Sequence, residues 1–131
     1  MQIYETIIGD PDGGVTTALL RAQHYLKDNR LLPSGMDKAT IPAEIAVAGE
    51  AATDDDFTGG GDTVRYIVNL PASGKYDVTV ELLYQSIGYR WAQNLRGFPF
   101  TAEAESFLEM LKQTPFTPAL IGQVSLEVSQ P

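Results

Sequence analysis

The sequence contains no cysteine and a single histidine, His24. Without thiols there is no thiolate nucleophile, no Cys-rich zinc site, no disulfide framework and no Cys-x-x-Cys-His haem attachment. One histidine also narrows acid–base chemistry. His24 would have to activate a serine or threonine, and no Gly-x-Ser-x-Gly elbow or comparable nucleophile motif occurs. It reads as a structural residue. With 17 acids in the chain, any carboxylate pair suited to glycoside chemistry would be an arbitrary choice. The chain reads as non-enzymatic.

Bases are scarce as well: nine Lys and Arg stand against those 17 acids, for a net charge of −8. A polyanion would be repelled, so nucleic acid is not an expected partner. The apolar runs are a few residues long, far short of the ~20 that cross a bilayer, and no membrane span is expected. Hydrophobic residues make up 44% of 131, enough for one ordinary core, so a single domain over residues 1–131 is expected.

What the chain does have is two-residue periodicity. Val64, Tyr66, Val68 and Leu70 alternate with Thr63, Arg65 and Asn69, and Tyr76, Val78, Val80, Leu82 and Tyr84 alternate with Asp77, Thr79 and Glu81. Pro71-Ala72-Ser73-Gly74-Lys75 between them supplies turn chemistry, predicting an antiparallel hairpin. Unbroken extension to Trp91 would put Ile87, Tyr89 and Trp91 on the face opposite Tyr84, so a bulge is expected near Ser86-Ile87-Gly88. Further strands are expected at residues 2–8, 44–48 and 123–129. Segment 17–27 also fits helical spacing, through Ala18, Leu19, Ala22, Tyr25 and Leu26, but Val15-Thr16-Thr17 tilts it towards strand. One helix is clear near residues 102–112. Thr101 can cap it, Glu103 and Glu105 suit its N-terminal end, Ala104, Phe107, Leu108 and Leu111 form a stripe, and Pro115 stops it. The expected fold is therefore mostly β, an antiparallel β-sandwich with one short helix.

Residues 41–62 carry six acids and no base. Within them Asp54, Asp55, Asp56 and Asp62 flank Phe57 and Gly59-Gly60-Gly61, and clustered carboxylates on a glycine-rich loop are the kind of oxygen donors Ca²⁺ takes. Asp10-Pro11-Asp12-Gly13-Gly14 is a shorter version of the same idea. Neither has EF-hand spacing, and the alternative is a solvated turn. The glycine run has no Lys-Ser/Thr after it and reads as a turn, not a phosphate loop. Tyr89, Arg90 and Trp91 suggest either a sugar-stacking platform or aromatics filling a core.

One stretch is more distinctive: Thr16-Thr17-Ala18-Leu19-Leu20-Arg21-Ala22, then Tyr25-Leu26-Lys27-Asp28-Asn29-Arg30-Leu31-Leu32-Pro33-Ser34-Gly35. Asp28-Asn29 can bend the chain by bonding local backbone, Arg30 can clamp a carboxylate, and Pro33 with Gly35 can close a turn. With Ile3-Tyr4-Glu5 and Leu83-Tyr84-Gln85-Ser86-Ile87-Gly88-Tyr89-Arg90-Trp91-Ala92, it resembles the haem-free C-terminal region of bacterial multihaem c-type cytochrome-like proteins. The likeness spans roughly residues 2–95. It implies a haem-bearing portion upstream, an exported parent from which this domain is excised, and a periplasmic or cell-surface location. It transfers no catalytic or haem-ligand residue, and no cofactor is expected in this chain apart from calcium. The expected function is that of a non-catalytic accessory domain of an electron-transfer protein. It would contact the haem-bearing part or a redox partner through the acidic loop and Arg30. The alternative is a carbohydrate-binding module using Tyr89, Arg90 and Trp91, supported by calcium.

Overall fold

Residues 6–28 build a three-stranded antiparallel sheet from β1 (Thr6–Gly9), β2 (Val15–Thr16) and β3 (His24–Asp28), in the order β2-β1-β3. The structure, a computed structural model, describes residues 1–97, 101–114 and 117–130. The chain divides into two compact units, Met1–Arg65 and Tyr66–Pro131.

In the first unit the β1–β2 turn is made by Asp10, whose Oδ1 accepts the backbone N–H groups of Asp12 at 3.0 Å and Gly14 at 2.8 Å. Such side-chain mimicry of a backbone turn is what aspartate does at this position. Strand β3 lies on the other side of β1, with Thr6 opposite Asp28 and Gly9 opposite His24, and a register shift falls between Ile7 and Ile8. Segment 17–27 is thus neither one strand nor one helix. A 3₁₀ turn at Leu19–Arg21 leads into β3, and exposed Leu19 and Leu20 show that its apolar spacing is not read by a core. The expected strand at 44–48 is also replaced: Ala43–Ile45 is a 3₁₀ turn, and Ala48 alone pairs with Asp28. Residues 2–8 become strand only from Thr6.

Two tight turns then meet back to back. Met36 N–H bonds Pro33 C=O at 3.1 Å, and Gly35 sits at φ +84° in the third position, where a type II turn favours glycine. The 58–61 turn packs against it, with Gly60 N–H on Leu32 C=O at 2.9 Å. A Cβ on Gly59 would come within 2.1 Å of Met36 O. The glycine run is therefore a turn, as its sequence implies, and also a seam of backbone contact.

The second unit pairs β4 (Gly74–Tyr84) with β5 (Ala119–Gln130) in an antiparallel ribbon running from Gly74 opposite Gln130 to Tyr84 opposite Ala119. The 123–129 strand is present and longer than expected. The hairpin expected between 64–70 and 76–84 is not: residues 62–70 form no strand, and Tyr66, Ile67 and Val68 stand exposed. Alternation alone cannot choose a partner, and β4 takes β5 across the intervening helices. The bulge expected near Ser86-Ile87-Gly88 does not form; the ribbon's irregularity lies on the partner strand, where Leu82 faces Gly122 while Leu83 faces Leu120, leaving Ile121 on β5 as the extra residue. Beyond Tyr84 the strand stops. Residues 89–91 start helix α1 (Tyr89–Leu95), so no strand carries the aromatics.

Helix α2 (Ala102–Gln113) matches expectation. Ala104 is buried and Phe107, Leu108 and Leu111 are half-buried, while every other position on the helix is exposed. Thr101 occupies the N-cap position without a side-chain capping bond; the Pro115 stop lies outside the described residues. Both sheets are antiparallel, as the alternation predicts. The chain is mixed, not mostly β, with about 22% helix beside about 30% strand, and each unit by itself holds one sheet, where a sandwich needs two facing layers.

The seam yields a paired prediction. Gly59→Ala forces Met36 backbone to move and should lower stability by about 2 kcal/mol. Gly61→Ala, with nothing within 4 Å of its added Cβ, should change stability by less than about 0.5 kcal/mol. Urea-denaturation midpoints of the two variants check this.

Candidate functional site

The first unit is organised around Asp28, Asn29 and Arg30 at the end of β3. Asn29 is 3% exposed. Its Oδ1 accepts Glu5 N–H at 2.9 Å, and its Nδ2 donates to Ile3 C=O at 3.0 Å. Lys27 Nζ donates to the same Ile3 carbonyl at 2.9 Å and approaches Glu5 Oε1 at 3.4 Å. Asn29 was expected to bend its own local backbone; it instead fastens a distant segment, residues 3–5. A carboxamide offers both a donor and an acceptor, so one side chain adds two bonds to this segment beside the backbone bond from Asn29 N–H to the Glu5 carbonyl at 3.4 Å.

Arg30 clamps a carboxylate, and the carboxylate is its near neighbour Asp28. Nε lies 3.0 Å from Oδ1 and Nη2 2.7 Å from Oδ2, a bidentate fork. Asp28 is buried, while the Arg30 side chain remains 60% exposed. The hydrogen bond to Asp28 raises the arginine's pKa, outweighing its partial burial. Arg30 is thus a surface cation with a fixed direction, because the fork removes the rotamer freedom that an exposed arginine otherwise has.

The acidic loop is held from three sides. Phe57 is the largest fully buried side chain among the described residues, anchoring the loop from below. Asp54 Oδ1 accepts Asp56 N–H at 3.0 Å. Lys38 Nζ donates to the carbonyl oxygens of Ala51, at 3.3 Å, and Asp54. Asp54, Asp55 and Asp56 themselves are exposed. Asp62 points elsewhere: its Oδ2 accepts the Tyr4 hydroxyl at 2.8 Å, and its Oδ1 is enclosed without a hydrogen-bond partner. Among the described residues no three acidic or histidine side chains gather as a metal-holding group. The local positive charge beside the loop carbonyls is the Lys38 ammonium. At the 10–14 loop Arg21 takes the same part, bridging Asp10 at 3.2 Å and Asp12 at 2.6 Å.

Sequence reasoning missed Phe57 and Lys38, although both left a trace. Lys38 is the one base between residues 31 and 64, and Phe57 is a large apolar side chain inside a run of Asp and Gly.

In the second unit, Trp91 meets Phe107 edge to face at a centroid distance of 5.8 Å and remains 44% exposed, while Tyr89 is 72% exposed. These rings neither fill a core nor form one platform. Residues two apart on a helix point to opposite sides, so α1 separates Tyr89 from Trp91. Arg90 lies exposed between them in sequence.

Compared with protein-family models, with curated proteins and with solved structures, the chain matches none.

Two outcomes test this site. Asn29→Ala leaves the Glu5 N–H without its acceptor and the Ile3 carbonyl with Lys27 alone, and should lower stability by about 1–3 kcal/mol; amide exchange at residues 3–5 should accelerate along with the shift in denaturation midpoint. Millimolar calcium should leave the thermal midpoint unchanged, because Lys38 holds the carbonyls a cation would share. A rise of several degrees that Asp54→Asn abolishes would show that the loop opens to take metal.

Proposed function

We propose that this chain is a non-catalytic interaction domain, an accessory module of an exported, periplasmic or cell-surface multihaem cytochrome-like protein. It docks on the haem-bearing portion of that protein, or on a redox partner, through the acidic surface of its first unit. The observation that carries this reading is the immobilised loop. Three exposed carboxylates, Asp54 to Asp56, stand on backbone pinned by buried Phe57, by Lys38 and by the Gly59 seam. Little ordering entropy then remains to be lost on binding. A fixed group of like charges also steers a basic partner at long range, speeding encounter. Arg30, fixed by Asp28, adds a directed cation for an acidic group on the partner.

The cytochrome context rests on the resemblance of residues 2–95. Its most distinctive run contains the residues that tie the first unit together: Asp28, Asn29 and Arg30, and the Pro33–Gly35 turn. Haem chemistry belongs to the upstream portion; this chain contributes recognition. Among the described residues no helix is long and apolar enough to cross a membrane.

Replacing Asp54, Asp55 and Asp56 together with Asn should weaken binding to the haem-bearing portion about tenfold or more at low ionic strength. The difference should shrink as salt screens the charges. Isothermal titration of wild type and triple variant at two salt concentrations measures both effects; equal affinities at low salt would remove the acidic loop from the interface. The rival carbohydrate-binding reading is checked on the same protein. Oligosaccharides should leave Trp91 emission unchanged, whereas quenching or a blue shift would favour it.

A further inference from the structure

The β4–β5 ribbon is sorted by its register into two unlike faces. Directly opposed residues of an antiparallel pair point the same way. Val78 is opposite Leu126 and Val80 opposite Val124, and the same side carries Leu82 and Tyr84. The other side carries Lys75, Asp77, Thr79 and Glu81 opposite Ser129, Glu127, Ser125 and Gln123, with a Lys75–Glu127 ion pair at 2.9 Å. The polar face is what water requires. Among the described residues the apolar face is open along most of its length: Val80 and Leu126 are each 47% exposed, and Leu82, Tyr84 and Val124 are also open, while Tyr76, Val78 and Val128 are half-buried.

A two-stranded ribbon with one bare apolar face is marginal in water, and needs a further layer to be independently stable. We propose that a second copy of this chain supplies that layer, the two apolar faces stacking across a twofold axis into a four-stranded sandwich.

Three features favour a second copy. First, area: a strand of eleven residues runs about 37 Å at ~3.4 Å per residue. Half-exposed side chains along both strands leave on the order of 600 Å² open per copy, so two copies would bury about 1,200 Å², where specific interfaces begin. Second, charge: a chain of net −8 resists self-association, yet every charge of the ribbon lies on the opposite face and none confronts its twin across this one. A basic partner would find no carboxylate here to recognise. Third, shape: branched Val and Leu side chains in two parallel rows, repeated on both copies, interdigitate in aligned sheet packing. An isologous contact requires such self-complementarity.

The test compares one substitution at neighbouring positions on opposite faces. Sedimentation velocity of the full chain, from low to high micromolar concentration, should show wild type shifting to twice the chain mass. Val80→Lys should remain monomeric over the same range with an unchanged far-ultraviolet circular dichroism spectrum, although it reduces the net negative charge. Thr79→Lys should dimerise like wild type. Leu126→Glu on the facing strand is the second disrupting variant, read in the same way should Val80→Lys fail to fold. A wild type that stays monomeric throughout would overturn the proposal and leave the face to a different protein. It would equally be overturned by dimers that survive both Val80→Lys and Leu126→Glu, or by Thr79→Lys dissociating as readily as Val80→Lys.

Discussion

The buried carboxamide of Asn29 is the interaction on which the first unit hangs. Its sheet is small, with two residues in β2 and four in β1, and ladder bonds alone do not hold residues 3–5. Asn29 supplies one acceptor and one donor to that segment, and Lys27 adds a second bond to the Ile3 carbonyl. Because both Asn29 and Asp28 are buried, these bonds are shielded from water, where a polar contact is worth most and a missing partner costs most. The same turn then releases the chain towards the Pro33–Met36 turn, against which the 58–61 turn is laid. The acidic loop is thus rigid because of contacts made by residues far from it in sequence.

In the second unit the governing constraint is the pairing of β4 with β5. These strands are separated in sequence by the whole helical segment, so their register carries a loop-closure cost that a local hairpin would avoid. Long cross-strand apolar pairs offset that cost: Val78 with Leu126, Val80 with Val124. Among the described residues the ribbon's apolar side stays open at Val80, Leu82, Val124 and Leu126. Charge and apolarity are therefore distributed differently, exposed carboxylates on a pinned loop in the first unit and an uncharged strip along the ribbon in the second.

In the first unit Arg30 closes on Asp28, Arg21 on Asp10 and Asp12, and the loop carbonyls on Lys38. Polar side chains here are spent on holding backbone in place, and what they leave exposed is a surface of set shape and charge.

Some of this was legible in the residues. The α2 stripe could be read because helical spacing and its flanking signals act within a dozen residues: Ala104, Phe107, Leu108 and Leu111 are the positions its fold shelters. The Pro33–Gly35 turn and the Arg30 fork could be read for the same reason, since their partners are two or three residues away. Alternation announced β4 and β5 but not that they pair, and it announced a strand at 64–70 that found no neighbour. The period of two states only that a segment suits a sheet, and which edge it joins depends on competition among all strands. Asn29's reach to residues 3–5, the burial of Phe57 and Lys38's grip on the acidic loop all join groups distant in sequence. Local pattern determined the elements and their faces in this protein; tertiary structure decided who pairs with whom, because a cross-chain hydrogen bond leaves no periodic mark on the sequence that makes it.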